Sequence, residues 1–294
     1  MGTTWSVRLV APQDIDHAAI YAAIVVRLDL INDEMSHWAP SSLLCGFNRS
    51  ARGEWTALPP GFAMVIDHAL DVAERSGGAF DPAIGRLVDI WGFGPPGAMP
   101  MPSTAALQDA RQMSGWRLLR YDRRTRLLRQ PGRLALDLSG IAKGFAVDAI
   151  ALMLRDRGID HCLVEIGGEL TGHGVRPDGE PWWVDLEDPP GAALPLLRVA
   201  LHGLAVATSG NYRRGNHNLD PRTGRMLDNG VVSVSVIHPS AMLADAWATA
   251  LTVLGPIDGM AAAARENLAA RFVIKRQGGV AERLSPALLA MLDG

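Results

Sequence analysis

The sequence has 294 residues, of which 48% are hydrophobic and 20% are charged, and its formal net charge is −3 at pH 7. This composition is ordinary for a globular protein and lacks the excess positive charge of nucleic-acid-binding proteins, so we expect no nucleic-acid partner. Because no run of about 18 apolar residues is present, the sequence predicts no transmembrane segment.

The sequence predicts several helices, recognised by apolar residues spaced three and four positions apart and by capping residues or glycines at their ends. They are predicted over residues 14–34, 60–76, about 103–114 and about 241–254, with a further helix that ends near residue 157 and a short one at the C-terminus. Residues 35–56 have a mixed pattern and are predicted to be mostly loop.

Strands are indicated by alternating apolar residues and by runs of β-branched side chains. They are predicted within residues 3–10, 116–130 (two strands around a turn), 134–138, 161–175, 181–188, 196–209, 230–239 and 271–276. These runs lie close together without regular strand–helix alternation, which favours an α+β fold with mixed, largely antiparallel sheets and packed helices. The sequence shows no internal repeat and no clear boundary, so we predict a single domain over residues 1–294.

The segment LDLSGIAKGFAVDAI, residues 136–150, has polar groups where a predicted strand passes into a helix. These groups and the accompanying glycines are Asp137, Ser139, Gly140, Lys143 and Gly144. Burying such polar groups costs several kcal/mol unless they are paired. The segment therefore either pairs its own side chains or holds a ligand.

The late helix SAMLADAWATALTVLG has a carboxylate and a hydroxyl one turn apart, at Asp245 and Thr249. Positions i and i+4 can present two oxygens to one point, and such hard donors suit Mg²⁺ better than zinc. The spacing by itself favours a polar stripe that faces water. Against this, the rest of the helix is alanine and large apolar residues, which is typical of a helix buried on almost every side.

Three further segments are rich in glycine or polar residues. HNLDPRTG, residues 217–224, predicts a turn, and a lone histidine such as His217 is more often structural than catalytic. GGAFDP, residues 77–82, indicates either a helix end followed by a turn or a loop that a ligand can approach closely. VEIGGEL, residues 164–170, indicates a bulge or a close packing contact. The usual nucleotide motifs, GxGxxG and Walker A, are absent.

The order of the motifs is more informative than any one of them. In chain order they are MGTTWSV, MSHWAPSSLLCGFN, GGAFDPAIGRLVDIWGFGP, LDLSGIAKGFAVD, LVEIGGEL, ATSGNYR, HNLDPRTG and ADAWATAL. This series closely resembles the FAD:protein FMN transferases, the ApbE family once described as thiamine-biosynthesis lipoproteins. The resemblance extends from Met1 to about Gly255 and implies an ApbE-like fold with a core related to the T-fold.

The resemblance also implies which residues form the site. It implies a Mg²⁺ site made by a backbone oxygen of Gly140 with the side chains of Asp245 and Thr249. It implies FAD contacts at Met1, Trp38, Ala79, Phe80, Asp81, Asp137, Lys143 and Leu219. We predict His217 as the catalytic base, with Asp245 able to share that role. Ala248 lies where some relatives have an additional carboxylate, so we expect a more weakly held metal.

The implied reaction uses FAD as a substrate and Mg²⁺ as the metal. It cleaves the pyrophosphate, attaches FMN through a phosphoester bond to a threonine of an acceptor flavoprotein, and releases AMP. Two alternatives stay open: hydrolysis of FAD to FMN and AMP, and flavin binding without catalysis. Many relatives carry a lipoprotein signal ahead of the MGTTW motif, whereas the sequence as given starts at that methionine. We therefore expect a cytoplasmic protein from the sequence as given, and a periplasmic or membrane-anchored one if a signal is missing.

Overall fold

The computed structural model describes residues 2–11, 14–211 and 218–293 of the chain. The fold is α+β, as predicted, and its residues group into two compact units. The first unit takes its described residues from 1–28, 143–216 and 228–294, and the second from 29–142 and 217–227. The single domain over residues 1–294 stays a prediction.

Eight α-helices lie in the described part of the chain. They are α1 His17–Met35, α2 Leu43–Arg49, α3 Pro60–Arg75, α4 Gly85–Ile90, α5 Thr104–Gln112, α6 Ala142–Arg155, α7 Ala241–Arg265 and α8 Pro286–Asp293. The predicted helices are confirmed to within a few residues as α1, α3, α5, α6 and α8. Over the same described residues, no helix is both long enough and apolar enough to cross a membrane.

Fourteen β-strands lie in the described residues. They are β1 Trp5–Val10, β2 Trp55–Ala57, β3 Arg120–Asp122, β4 Leu127–Arg129, β5 His161–Ile166, β6 Glu169–His173, β7 Trp182–Asp185, β8 Arg198–Leu201, β9 Leu204–Gly210, β10 Leu219–Asp220, β11 Arg225–Met226, β12 Val231–His238, β13 Ala269–Arg276 and β14 Gly279–Leu284. A short 3₁₀ helix, Trp116–Leu118, precedes β3, so the predicted hairpin begins later than expected. Strand β14 was not predicted, because its sequence GVAERL lacks a β-branched run.

Seven strands form one sheet in the first unit, in the order β1-β5-β6-β9-β12-β13-β14. All neighbouring pairs in it are antiparallel, which confirms the predicted pairing. The same unit contains the β7–β8 hairpin. In the second unit, β2, β4 and β3 form a small antiparallel sheet, and β10 pairs with β11.

Apolar side chains cover the seven-stranded sheet on both faces. On one face, strand residues including Ala269 pack against Trp182 of β7 and Leu288 of α8. Phe272 lies three positions after Ala269 and so faces the other way, because side chains alternate along a strand. Its ring approaches Gly259 of α7, where a Cβ would lie 2.9 Å from it. Helix α7 therefore packs on the second face of the sheet.

The two glycines of VEIGGEL form the turn between β5 and β6. Gly167 and Gly168 have φ values of 63° and 103°, and Ile166 pairs with Glu169 across them without a register shift. Two successive positive φ values are what a type I′ hairpin turn requires. The expected bulge is therefore wrong. The expected close contact is present, since a Cβ at Gly167 would lie 2.8 Å from Thr3 Oγ1.

The described residues 134–138 are buried but do not form the predicted strand. The Asn48 side chain accepts from the Leu136 N–H at 2.8 Å and donates to the Leu136 carbonyl at 3.1 Å. The Gln130 side chain does the same for Leu134, at 3.2 and 3.1 Å. Because two amide side chains satisfy these backbone groups, the segment stays extended and buried without a neighbouring strand.

Residues 36–42 and 50–54 are irregular, as predicted, but the segment 35–56 also contains a short helix and the start of a strand that were not predicted. Helix α2 begins after Ser42, whose hydroxyl accepts from the Cys45 N–H at 3.1 Å, and it buries Leu44 and Phe47. Strand β2 follows and pairs with β4. Both elements are short, and a helix of seven residues spans too few turns to show a clear apolar period.

Helix α7 is interrupted near its middle. Gly255 has non-helical angles, φ 85° and ψ −177°, and Pro256 follows it. The Asn229 side chain donates to the carbonyls of Thr252 at 2.9 Å and Val253 at 3.3 Å, which satisfies two of the last carbonyls before the break. The helix predicted over residues 241–254 is thus confirmed as the first segment of α7.

Candidate active site

A buried ion cluster joins α6, β6 and α7 in the first unit. The Lys143 ammonium lies 2.6 Å from Glu169 Oε1 and 3.5 Å from Asp245 Oδ1. The side chains of Glu169 and Asp245 are only 4% and 7% exposed, whereas that of Lys143 is 23% exposed. Lys143 is therefore the member of the cluster that an external ligand reaches most easily.

The cluster has two carboxylates and one ammonium, so its formal charge is −1 when all three are ionised. Burial raises the pKa of Glu169 to about 7, against the opposing effect of Lys143 and with a further increase from Asp245. Burial also raises the pKa of Asp245, although Lys143 and the Gly144 amide oppose it. Burial alone lowers the pKa of Lys143, but the two carboxylates outweigh it and raise that pKa. Such a cluster favours an added proton or a bound cation.

A close approach of α6 and α7 fixes Asp245. Its Oδ2 accepts a hydrogen bond from the Gly144 N–H at 3.1 Å. A Cβ at Gly144 would lie 2.5 Å from the Ala241 carbonyl carbon and 2.7 Å from Met242 Cα, closer than such atoms pack. The glycine in AKGFA is therefore needed for the contact between the two helices, and this contact brings a backbone donor to Asp245.

Asp148 of α6 holds the N-terminus of α7. Its Oδ1 accepts from the Ala241 N–H at 2.9 Å, and its Oδ2 accepts from Ser240 Oγ at 2.7 Å and the Met242 N–H at 3.1 Å. A carboxylate at a helix N-terminus satisfies free N–H groups and interacts favourably with the helix dipole. This arrangement fixes the first turns of α7, which include Asp245.

Asp245 and Thr249 provide oxygen donors on consecutive turns of α7. Asp245 is buried and Thr249 half-buried, so the expectation of a stripe facing water is wrong for Asp245. Among the described residues, no three His, Cys, Asp or Glu side chains are grouped to hold a metal ion, so a metal here needs the hydroxyl or backbone carbonyls as well. Glu169 Oε2 is buried without a hydrogen-bond partner in the described part of the chain. Hard oxygen donors and an excess negative charge fit Mg²⁺.

The GGAFDP motif forms a fixed turn in the second unit. The carboxylate of Asp81 accepts from the N–H groups of Ala83 at 2.8 Å and Trp116 at 3.0 Å, and Phe80 N–H donates to Ser76 Oγ at 3.1 Å. Burial raises the pKa of Asp81 to about 6, although the two backbone hydrogen bonds lower it. The predicted helix end and turn are thus confirmed, and contact with FAD stays a prediction.

Asp137 lies beside that turn and close to His37, whose ring in turn contacts that of Trp38. Its N–H donates to the Pro82 carbonyl at 2.8 Å, and its Oδ1 lies 3.8 Å from His37 Nδ1. The rings of His37 and Trp38 are 5.2 Å apart between centroids, and Trp38 is 58% exposed. The second unit therefore links Asp137 to the 77–82 turn and to His37, and contact of Trp38 and Asp137 with FAD stays a prediction.

Four predicted site residues remain, and the structure describes two of them, Leu219 and Gly140. Leu219 is buried in an apolar cluster with Leu87 and Ala110, so its side chain has a packing role. Gly140 belongs to the turn before α6, in the second unit. Met1 and His217 lie outside the described residues.

The sequence analysis did not identify three residues of these arrangements, namely Glu169, Asp148 and His37. Glu169 had a detectable signal, because it is a carboxylate that directly follows a two-glycine turn and begins a short strand. Asp148 interrupts the apolar sequence of α6. His37 lies in a segment without a clear pattern and had no such signal.

Comparison with known proteins places the chain in a family. A model of the ApbE family matches residues 1–272. A FAD:protein FMN transferase of Vibrio cholerae is 35% identical over 305 residues, which cover 100% of this chain and 91% of that protein. One of Klebsiella pneumoniae is 30% identical and covers 100% of this chain and 88% of its own length.

Solved structures agree with this match. The apo form of Pseudomonas stutzeri flavinyl transferase ApbE superposes with a TM-score of 0.94 at 32% identity, over 100% of this chain and 95% of that chain. Flavin transferase ApbE from Vibrio cholerae gives a TM-score of 0.92 at 34% identity, over 99% of this chain and 96% of that chain. The family model, the relatives and the fold agree over nearly the whole length, and the chain therefore belongs to the ApbE family.

Proposed function

We propose that this protein is a Mg²⁺-dependent FAD:protein FMN transferase. It cleaves the pyrophosphate of FAD, attaches FMN through a phosphoester bond to a threonine of an acceptor flavoprotein, and releases AMP. The names of the relatives, FAD:protein FMN transferase and flavin transferase, support the transfer of flavin. The Mg²⁺ ion, the threonine target and the release of AMP are proposed from the family resemblance, because these names do not include them.

The observation that carries the proposal is the buried carboxylate of Asp245. A binding protein for flavin has no need of a buried, excess negative charge on the same helix face as a hydroxyl. The pair formed by Asp245 and Thr249 fits a hard divalent cation in donor type and spacing. Gly140 is the third ligand that we propose, from the family resemblance.

Lys143 and α6 act on the phosphates of FAD in this proposal. The ammonium is the most exposed member of the ion cluster and lies in the first turn of α6. The N-terminus of a helix favours an anion, and the lysine adds a full positive charge there. Trp38 has an exposed ring for stacking, and Ala79, Phe80, Asp81, Asp137, Leu219 and Met1 are the proposed FAD contacts that complete the site.

Charge neutralisation and positioning are the main requirements of phosphoryl transfer. Mg²⁺, when bound, polarises the pyrophosphate and stabilises the negative charge of the leaving AMP. His217 is the proposed base that takes the proton of the threonine hydroxyl, and Asp245 is the alternative. Asp245 already accepts from the Gly144 N–H and pairs with Lys143, which favours His217 for this role.

Mass spectrometry of an acceptor tests the proposal. A flavin-acceptor domain with a target threonine is incubated with the protein, FAD and Mg²⁺, with and without EDTA. We expect the acceptor to gain the mass of FMN less one water only when Mg²⁺ is free, with release of AMP in equal amount. FMN and AMP in solution without a labelled acceptor would indicate FAD hydrolysis instead.

A pair of variants on α7 provides the matched control. Asp245→Asn keeps the shape of the side chain and removes its charge, so we expect it to abolish transfer. Asp258→Asn makes the same change at an exposed position of the same helix, and we expect it to retain full activity. Full activity of Asp245→Asn with unchanged Mg²⁺ dependence would refute the metal assignment.

A further inference from the structure

The Lys143 ammonium has two carboxylate neighbours at unequal distances. At 2.6 Å, its contact with Glu169 is a short, charge-assisted hydrogen bond, whereas 3.5 Å to Asp245 is the outer limit of one. The ammonium is therefore held mainly by Glu169. Asp245 keeps its hydrogen bond from the Gly144 N–H and only a weak contact with the lysine.

Loss of Glu169 would leave this ammonium a single carboxylate. Among the described residues, Glu169 and Asp245 are the two carboxylates paired with Lys143. Without Glu169, the half-buried ammonium gains most by moving onto Asp245, because an unpaired charge that is partly removed from water is costly. It would then lie at the carboxylate that a divalent cation needs, and the two positive charges repel each other.

We propose that Glu169 is a positioning residue, which holds the Lys143 ammonium away from Asp245 and so keeps that carboxylate available to a divalent cation. This inference rests on the Mg²⁺ site proposed above. An ammonium has three N–H donors, so the contacts with the two carboxylates leave one for an anion such as a phosphate oxygen. Glu169 thus allows the lysine and the metal to be present together.

Titration with Mn²⁺ in the absence of FAD tests the proposal, with the free ion measured by electron paramagnetic resonance. We expect Glu169→Gln to weaken Mn²⁺ binding by at least about tenfold, because the freed ammonium competes for Asp245. Glu165→Gln is the matched control on the other strand of the same hairpin. Its side chain accepts from the Gly168 N–H at 2.9 Å, an interaction that glutamine preserves, and we expect unchanged Mn²⁺ affinity.

The variant Lys143→Met separates positioning from direct metal binding. If the lysine causes the defect, Glu169→Gln in the Lys143→Met background should weaken Mn²⁺ binding by less than about threefold, the residual effect of one lost charge. A full loss in both backgrounds would make Glu169 a metal ligand and overturn the proposal. Unchanged Mn²⁺ affinity with a lower melting temperature would make Glu169 structural and also overturn it.

Two further outcomes separate this inference from the proposed function. Absence of Mn²⁺ binding by the wild-type protein would refute the proposed metal site and this inference with it. Mn²⁺ binding that responds to Glu169→Gln as expected, without flavin transfer, would refute the reaction alone. If Glu169→Gln does not fold, Glu169→Asp replaces it, because the shorter side chain keeps the charge but no longer reaches the ammonium at 2.6 Å. We expect Glu169→Asp to weaken Mn²⁺ binding as well, and unchanged Mn²⁺ affinity would overturn the proposal.

Discussion

Substitution of Gly144 by alanine tests whether the contact between α6 and α7 maintains the ion cluster. The added Cβ would lie 2.5 Å from the Ala241 carbonyl carbon, and real Cβ atoms do not come closer than 3.0 Å to such atoms. The helices must therefore separate by at least about 0.5 Å at this point. The hydrogen bond from the Gly144 N–H to Asp245, 3.1 Å long, would stretch beyond the range of a true hydrogen bond.

The expected decrease in the free energy of unfolding has two causes, the clash of the added Cβ and the loss of this hydrogen bond. Overpacking of this kind costs about 1–3 kcal/mol, and loss of a hydrogen bond to a carboxylate about 1.5–3 kcal/mol. Alanine recovers up to about 1 kcal/mol through its higher helix propensity. We therefore expect Gly144→Ala to lower the free energy of unfolding by about 2–5 kcal/mol, and the melting temperature by roughly 5–15 °C.

Thermal unfolding in EDTA measures this effect, with Gly46→Ala as the control. Gly46 lies within α2, and a Cβ there would meet nothing within 4 Å. The control should melt at the wild-type temperature or slightly above it, because alanine favours the helix. If Gly144→Ala melts within about 1 °C of the control, the helices are not held at the described separation, and the reasoning is wrong.

Three further predictions concern buried polar groups. Asp81 has a pKa raised from 3.8 to about 6, so the folded chain releases this proton at a higher pH than the unfolded chain does. The protein therefore loses about 3 kcal/mol of stability in all as pH rises from below 3.8 to above 6. Urea unfolding at pH 4.5 and pH 7 should show a smaller decrease for Asp81→Asn than for the wild type, and equal decreases would contradict the raised pKa. Gln130→Leu leaves four backbone groups without their side-chain partner and should cost about 3–5 kcal/mol in the same assay at pH 7; a loss below about 1 kcal/mol would show that the segment finds other partners. Asp148→Asn removes the charge at the N-terminus of α7 and should cost about 1–2 kcal/mol, measured by calorimetry, and a melting temperature equal to that of the wild type would exclude this role.

Most elements could be predicted because their sequences have a clear period or clear ends. Helices α1 and α3 show apolar residues at helical spacing, and α3 ends before two glycines. The strand predicted at residues 134–138 is wrong, although its leucines alternate and the segment is buried as a strand would be. The backbone groups of Leu134 and Leu136 bond to the side chains of Gln130 and Asn48 instead of to another strand. Asn48 is 88 positions away from Leu136, and no local sequence pattern reveals such a partner.

The candidate site could be predicted only in part, for a similar physical reason. The family resemblance identifies Lys143 and Asp245, and the structure places them in one cluster. Glu169 completes that cluster through strand pairing and helix packing, which join residues far apart in the sequence. Its environment, and thus its raised pKa, exists only after the chain has folded.

The division of the first unit into separate chain segments determines the order in which it can be assembled during synthesis. Strand β1 is made first, yet Trp5 pairs with Ile166, and the sheet is completed only by strands after residue 228. Such long-range pairing is slow to form, and a strand that has not yet paired can bond to other chains through its free backbone groups. Each nascent chain therefore carries an unpaired β1 until residues 161–166 have been made, and protection by chaperones matters most during that interval.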